Sequence, residues 1–173
     1  MDNQQAKQLL DMGWLVGFYE GEGCFSLNKQ KYRHQKSTIR PRITISSTDY
    51  ELSEKAADIL NDLGVGRYMF QRIRLAERHK NQLEVTVIGV KRCQKFLGIL
   101  IPYMTESRKR ICANTLLEYC DLRLSKHRQA PYEQEEFSLW QRLRDLNGYQ
   151  LRQSLRDSTR DVFEYNTKVE SAS

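Results

Sequence analysis

Glycine recurs every four residues in Gly13-Trp-Leu-Val-Gly17-Phe-Tyr-Glu20-Gly21-Glu22-Gly23. This spacing lines Gly13, Gly17 and Gly21 along one stripe of a helix. The apolar steps Leu9, Leu10, Trp14, Leu15 and Phe18 independently predict a helix from Gln4 to Tyr19. Each interior glycine costs about 1 kcal/mol relative to alanine, so roughly 2 to 3 kcal/mol must be offset by another backbone approaching the stripe closely. The chain has one such helix, so the partner is a second copy. An isologous dimer follows, with Gly13, Gly17, Gly21, Trp14 and Phe18 at the interface. Pairing the helices brings two Glu22 carboxylates together, and clustered carboxylates call for a cation between them. A hard divalent ion such as Mg²⁺ takes these oxygens readily. Two rival readings are weaker in context. Gly21-Glu-Gly23-Cys-Phe-Ser26 departs from the dinucleotide fingerprint at its third glycine and runs helix to strand. Alternatively, the glycines merely punctuate a helix end.

The 173 residues suit a single domain, residues 1–173. Lys and Arg number 28 against 22 acids, giving a net charge of +6 that nominates a polyanionic partner. No apolar run reaches the roughly 20 residues of a membrane span, and the first residues do not read as a signal peptide. A soluble protein is expected, intracellular in the cytoplasm, nucleoid or organelle that holds its partner. Cys24, Cys93, Cys112 and Cys120 lack metal or disulfide spacing and read as free buried thiols. Three histidines at unrelated positions argue against imidazole chemistry, and nothing calls for a small-molecule cofactor.

Period-two alternation predicts strands across residues 24–47, broken by a polar loop, and again at residues 65–74 and 82–88. Helices are predicted at residues 49–63, with Thr48 as N-cap, and at 91–101, 106–124 and 133–146. The stripe Phe137, Trp140 and Leu143 reads as core, and residues 125–132 as the softest stretch. The class is α+β, with antiparallel hairpins and helices on one face of the sheet. Residues 24–48 carry six Lys or Arg and no acid. Alternation turns Phe25, Leu27, Ile39, Ile43 and Ile45 toward the helices, while Asn28, Gln30, Arg40 and Arg42 share the opposite face. Such a face has charge for phosphates and bidentate groups for base edges, unless it is simply solvated.

Leu15-Val-Gly-Phe-Tyr-Glu-Gly-Glu-Gly23, with a hairpin directly after it, resembles the nine-residue signature of the LAGLIDADG homing endonucleases. Leu63-Gly-Val-Gly66, Ile101-Pro-Tyr103 and Ser107-Arg-Lys-Arg110 are similar to later features of that family. The resemblance covers roughly residues 10–147 and leaves 148–173 as a C-terminal helical extension. It implies an αββαββα core with a saddle-shaped antiparallel sheet and extra C-terminal helices. One signature per chain is similar to the homodimeric members.

By position, the resemblance makes Glu22 the metal-binding carboxylate and the Gly21 carbonyl a further ligand, where the family usually has Asp at both acidic positions. Lys109, or its neighbour Arg108, takes the place of a base beside the scissile phosphate, and Ser47 or Thr48 that of a polar residue positioning solvent. The implied ions are Mg²⁺ or Mn²⁺, with Ca²⁺ as a non-catalytic substitute. The implied activity is intron homing: a double-strand break with short 3′ overhangs in a long pseudo-palindromic DNA site. Candidate readers of that double-stranded DNA are Asn28, Gln30, Arg33, Arg40, Arg42, Arg72 and Arg74. Arg152, Arg156 and Arg160 are candidates for its phosphates. A maturase acting on RNA and an inactive DNA-binding regulator are the alternatives.

Overall fold

The computed structural model describes residues 3–30, 38–73, 80–105 and 107–148. Helix α1 (Asn3–Glu22) leads into β1 (Cys24–Gln30) and β2 (Thr38–Ser47), then α2 (Tyr50–Asp62), β3 (Tyr68–Arg72) and β4 (Gln82–Ile88). The chain continues through α3 (Val90–Leu100), a 3₁₀ turn at Ile101–Tyr103, α4 (Ser107–Ser125) and α5 (Gln134–Leu146). This is the expected α+β order, and the four strands form one antiparallel sheet in the order β1-β2-β4-β3.

Strand parity divides the sheet cleanly. Phe25, Leu27, Ile39, Ile43, Ile45, Val85 and Val87 are buried in one core with Leu15 and Tyr19 of α1, Leu60 of α2, Phe96 and Leu97 of α3, and Leu116 of α4. Facing pairs such as Ile45↔Val85 and Ile43↔Val87 set the register from inside this core. The buried Ser53 hydroxyl donates to Leu83 O at 2.9 Å and fastens α2 to β4. Tyr119 of α4 and Tyr132 both donate to Ile39 O, at 2.8 and 3.2 Å. Asn147, just past α5, donates to Phe25 O at 2.9 Å and ties the end of α5 to the start of β1.

Several expectations change. The first helix runs on through Glu22, so both signature glutamates lie in its last turn. Asp49 caps α2 by accepting from Glu51 N at 3.1 Å, whereas Thr48 is exposed; a carboxylate one residue later satisfies the same helix N–H groups. Gly64 ends that helix in the left-handed region, with φ of +63°. Cys24 is exposed, not buried, because β1 begins with its outward parity; the other three thiols are buried. Burial pushes the Cys93 thiol up to about 12 and raises Cys120 as well. On α5, Leu139 and Leu143 are the buried apolar residues, while Phe137 and Trp140 are only half-buried and receive Lys29 over their rings at 4.9 and 5.1 Å. Lys29 therefore faces the helices and leaves the basic sheet face.

The stretch expected to be soft is pinned. Buried Glu136 accepts from Arg123 at 3.3 Å, from Lys126 at 3.1 Å and from Glu133 N at 2.9 Å. Arg123 also donates to the carbonyls of Arg128 and Ala130, at 3.2 and 2.8 Å. Among the described residues, no helix is long and apolar enough to cross a membrane.

Candidate functional site

Two segments meet at the end of α1. The last helical bond runs from Gly23 N to Tyr19 O at 3.0 Å, and a Cβ on Gly23 would lie 2.4 Å from that oxygen. Glycine is obligatory there for packing within one chain. Glu22, the final helical residue, is exposed. Lys109, in the first turn of α4, donates through Nζ to Gly23 O, which sets an ammonium one residue from Glu22. Glu20 turns away: its carboxylate accepts from Thr105 N, and from Thr105 Oγ1 at 3.1 Å, and so holds the segment entering α4. Arg108 donates through Nε to Leu146 O at 3.1 Å and faces α5, while Arg110 donates to Met104 O at 3.3 Å. Three consecutive bases thus diverge, and Lys109 is the one at the end of α1.

Ser47 and Thr48 sit at the junction of β2 and α2, where Ser47 Oγ accepts from Asp49 N at 3.0 Å. Gly13, Gly17 and Gly21 are exposed, with no atom within 4 Å of a Cβ built on any of them. Trp14 and Phe18 are partly buried with their ring centroids 5.1 Å apart, and Lys55 of α2 lies 4.4 Å over Trp14. The same helix exposes Leu9 and Leu10.

The face away from the helices is read off the register. Cross-strand rows are Asn28↔Arg40; Ser26↔Arg42↔Ile88; Cys24↔Thr44↔Thr86↔Tyr68; Ser46↔Glu84↔Phe70; and Gln82↔Arg72. Opposed residues point the same way, so Asn28, Arg40, Arg42 and Arg72 share one surface, with Gln30 at the outer end of β1. The parity of β3, ambiguous in the run Tyr68-Met-Phe70, is set by Thr86 and Glu84 opposite Tyr68 and Phe70. The apparent lack of counter-charge is corrected by β4. Buried Glu84 pairs with Arg42, and with Arg72 at 2.6 Å. Sequence alone does not single out Glu84 and Thr86 although Gln82–Ile88 alternates, because an acid-free stretch is visible along the chain and the pairing across the sheet is not. Arg33, Arg74, Arg152, Arg156 and Arg160 lie outside the described residues.

Hard oxygen donors gather at the end of α1: the Glu22 carboxylate and the last carbonyls of the helix, Gly21 among them, which have no intrahelical donor. This donor set suits a divalent cation of the Mg²⁺ type. Among the described residues of one chain, no group of three or more His, Cys, Asp or Glu could hold a metal.

A sheet with one face of Arg, Asn and Thr, beside a helix that ends on an exposed carboxylate next to a lysine, has the build of a nuclease. The chain belongs to the LAGLIDADG endonuclease family, whose model matches residues 15–120. Solved structures share the fold. The homing endonuclease I-CvuI, in complex with its target in the presence of Ca, is 24% identical, with a TM-score of 0.52 over 66% of this chain and 68% of that one. The same enzyme with the I-CreI target, in the presence of Mg and with its DNA not cleaved, is 22% identical, with a TM-score of 0.54 over 81% and 79%. I-SmaMI bound to cleaved DNA is 15% identical, with a TM-score of 0.59 over 76% of this chain and 42% of that one. No curated protein matches the sequence.

Proposed function

We propose that two copies of this chain form a site-specific, divalent-metal-dependent DNA endonuclease of the intron-homing type. The observation that carries this reading is the exposed Glu22 at the end of α1, with Lys109 held on the neighbouring Gly23 carbonyl and an open glycine stripe leading up to both. Packing the stripes of two chains pairs two half-sites, each contributing one carboxylate and the Gly21 carbonyl. A bound divalent cation supplies charge neutralisation at the phosphate and a more acidic attacking water. Lys109 neutralises charge developing on the pentacoordinate phosphate, in a role that needs no histidine. Ser47 and Thr48 orient solvent from the β2 end. Carboxylates near a two-fold axis reach phosphates across a minor groove about 6 Å wide, which gives short staggered ends, and the likeness to the family implies that these are 3′ overhangs.

The outward sheet faces lie in the flanking major grooves. There Asn28, Gln30, Arg40, Arg42 and Arg72 read bases, joined by Arg33 and Arg74, while Arg152 contacts phosphate. The ten-residue β2 extends roughly 33 Å, so two subunits cover about 18 to 20 pseudo-palindromic base pairs.

The test is cleavage of a plasmid library carrying randomised 24-base-pair inserts, with Mg²⁺, Mn²⁺, Ca²⁺ or EDTA, followed by sequencing of cut ends. Cutting at one palindromic consensus with Mg²⁺ or Mn²⁺, blocked by EDTA and by Glu22→Gln, is the expected result. Sequence-selective binding without cutting in any metal would make the protein a regulator, and binding to structured RNA alone would make it a maturase.

A further inference from the structure

We infer that Glu84 is a positioning residue for base readout, a role that rests on the DNA-reading assignment of the sheet face. It fixes Arg42 and Arg72 as a coupled pair of forks, so the base preference beneath them depends on a carboxylate that itself stays buried. By register, Glu84 stands in the middle of the outward face, between Ser46 and Phe70, with Arg72 one row away and Arg42 diagonally across β2. It is nonetheless only 1% exposed. Both its oxygens are engaged: Oε1 accepts from Arg42 Nη2 and from Thr86 Oγ1 at 3.0 Å, and Oε2 forms an ion pair with Arg72 Nη2 at 2.6 Å. Arg42 also reaches Thr86 Oγ1 at 3.4 Å, and its guanidinium lies 5.7 Å over the Phe70 ring.

Stability does not account for this arrangement. A buried carboxylate loses its hydration, and an apolar residue on a central strand commonly stabilises as well as a buried ion pair. What the network provides is direction. A free arginine must give up several rotatable bonds to meet a base, whereas one clamped at Nη2 holds Nη1 in a fixed direction; in Arg42, Nε is buried without a partner, so Nη1 is the donor left for a base. Two arginines on one carboxylate also retain a net positive charge, so the pair still attracts the duplex. Arg40, exposed and in no ion pair among the described residues, is the internal contrast. A fixed N–H donor in a major groove fits the guanine O6 and N7 acceptors better than the donor-bearing edge of cytosine, so guanine is expected beneath the coupled pair.

Glu84→Gln preserves shape and releases one positive charge, and it should move affinity and selectivity in opposite directions. Binding to an arbitrary duplex tightens, and the salt dependence steepens by about one phosphate equivalent. Preference for guanine at the two paired positions of each half-site falls about tenfold. The experiment is selection from a randomised duplex library by the full-length wild type, Glu84→Gln, Glu84→Asp and Arg72→Gln, in EDTA so that nothing is cut. Salt titrations on one arbitrary duplex accompany it.

The expected outcome is loss of preference at both positions in Glu84→Gln, with the salt slope recovered in Glu84→Asp. Arg72→Gln should weaken preference under Arg42 as well as under itself. A folded Glu84→Gln that enriches the wild-type site unchanged overturns the inference. So does an Arg72→Gln whose effect stops at its own position, which covers the case of a Glu84 variant that does not fold. A wild type that enriches no duplex refutes instead the DNA-reading assignment on which the inference rests.

Discussion

Replacing Gly13 and Gly17 with alanine should strengthen the single chain and weaken the pair. A Cβ at either position meets nothing within 4 Å, so in an isolated protomer only helix propensity changes. Each substitution then stabilises by about 0.8 to 1 kcal/mol, roughly 2 kcal/mol together. For a chain of this length, that raises the melting temperature by about 4 to 8 °C. Across a two-fold interface the same changes insert four methyl groups where two backbones must approach closely. Overpacking of this kind costs about 1 to 3 kcal/mol per site, and even the low end weakens dimerisation on the order of a thousandfold. Sedimentation equilibrium gives the dimer constant, thermal denaturation at monomer concentrations gives the protomer stability, and cleavage should fall with the dimer. A double variant carrying Gly13→Ala and Gly17→Ala that dimerises as tightly as the wild type would refute the assignment of the stripe to the interface. A protomer that gains no stability would show that the face is already occupied within one chain.

Four further outcomes follow from specific contacts. Lys109→Met should slow single-turnover cleavage by about 10²- to 10³-fold. Arg108→Met loses a hydrogen bond to Leu146 O, costs about 1 to 2 kcal/mol of stability and leaves the cleavage rate nearly unchanged; the reverse ranking would exchange their roles. Titration with an aromatic disulfide should find one fast thiol per native chain, Cys24, with Cys93, Cys112 and Cys120 silent until denaturant is added. Glu136→Gln leaves Arg123 and Lys126 short of a buried counter-charge and should cost about 3 to 5 kcal/mol in urea unfolding, and a loss under about 1 kcal/mol would contradict the pinning of the loop before α5.

Local periodicity carries most of the fold. Alternation in β1 and β2 predicts which side chains enter the core, and the four-residue glycine spacing marks the helix whose stripe is open. Consecutive Tyr68, Met69 and Phe70 leave the parity of β3 undefined, because their direction depends on β4 residues far away in sequence. The same long-range pairing hides Glu84, whose meaning comes from Arg42 and Arg72 on two other strands. Lys29, one of the six bases in residues 24–48, has strand parity for the helix side instead, where Phe137 and Trp140 hold its charge. At the end of α1, sequence alone leaves Arg108 and Lys109 equivalent. Neighbouring positions on a helix point about 100° apart, so α5 takes one side chain and the Gly23 carbonyl the other.

The clasp between Asn147 and Phe25 O also bears on how two copies could be joined into one polypeptide. It brings the last described residues beside β1, at the Glu22 end of the molecule, while the first helical residue lies a full 20-residue helix away, about 30 Å. In a pair whose glycine stripes run side by side, a tether from residue 148 of one copy to residue 3 of the other must traverse that length. Fewer than about nine extended residues cannot do so. Fusions that remove residues 149–173 and leave a shorter tether should therefore assemble only between molecules, whereas those that keep these residues are long enough to close on themselves.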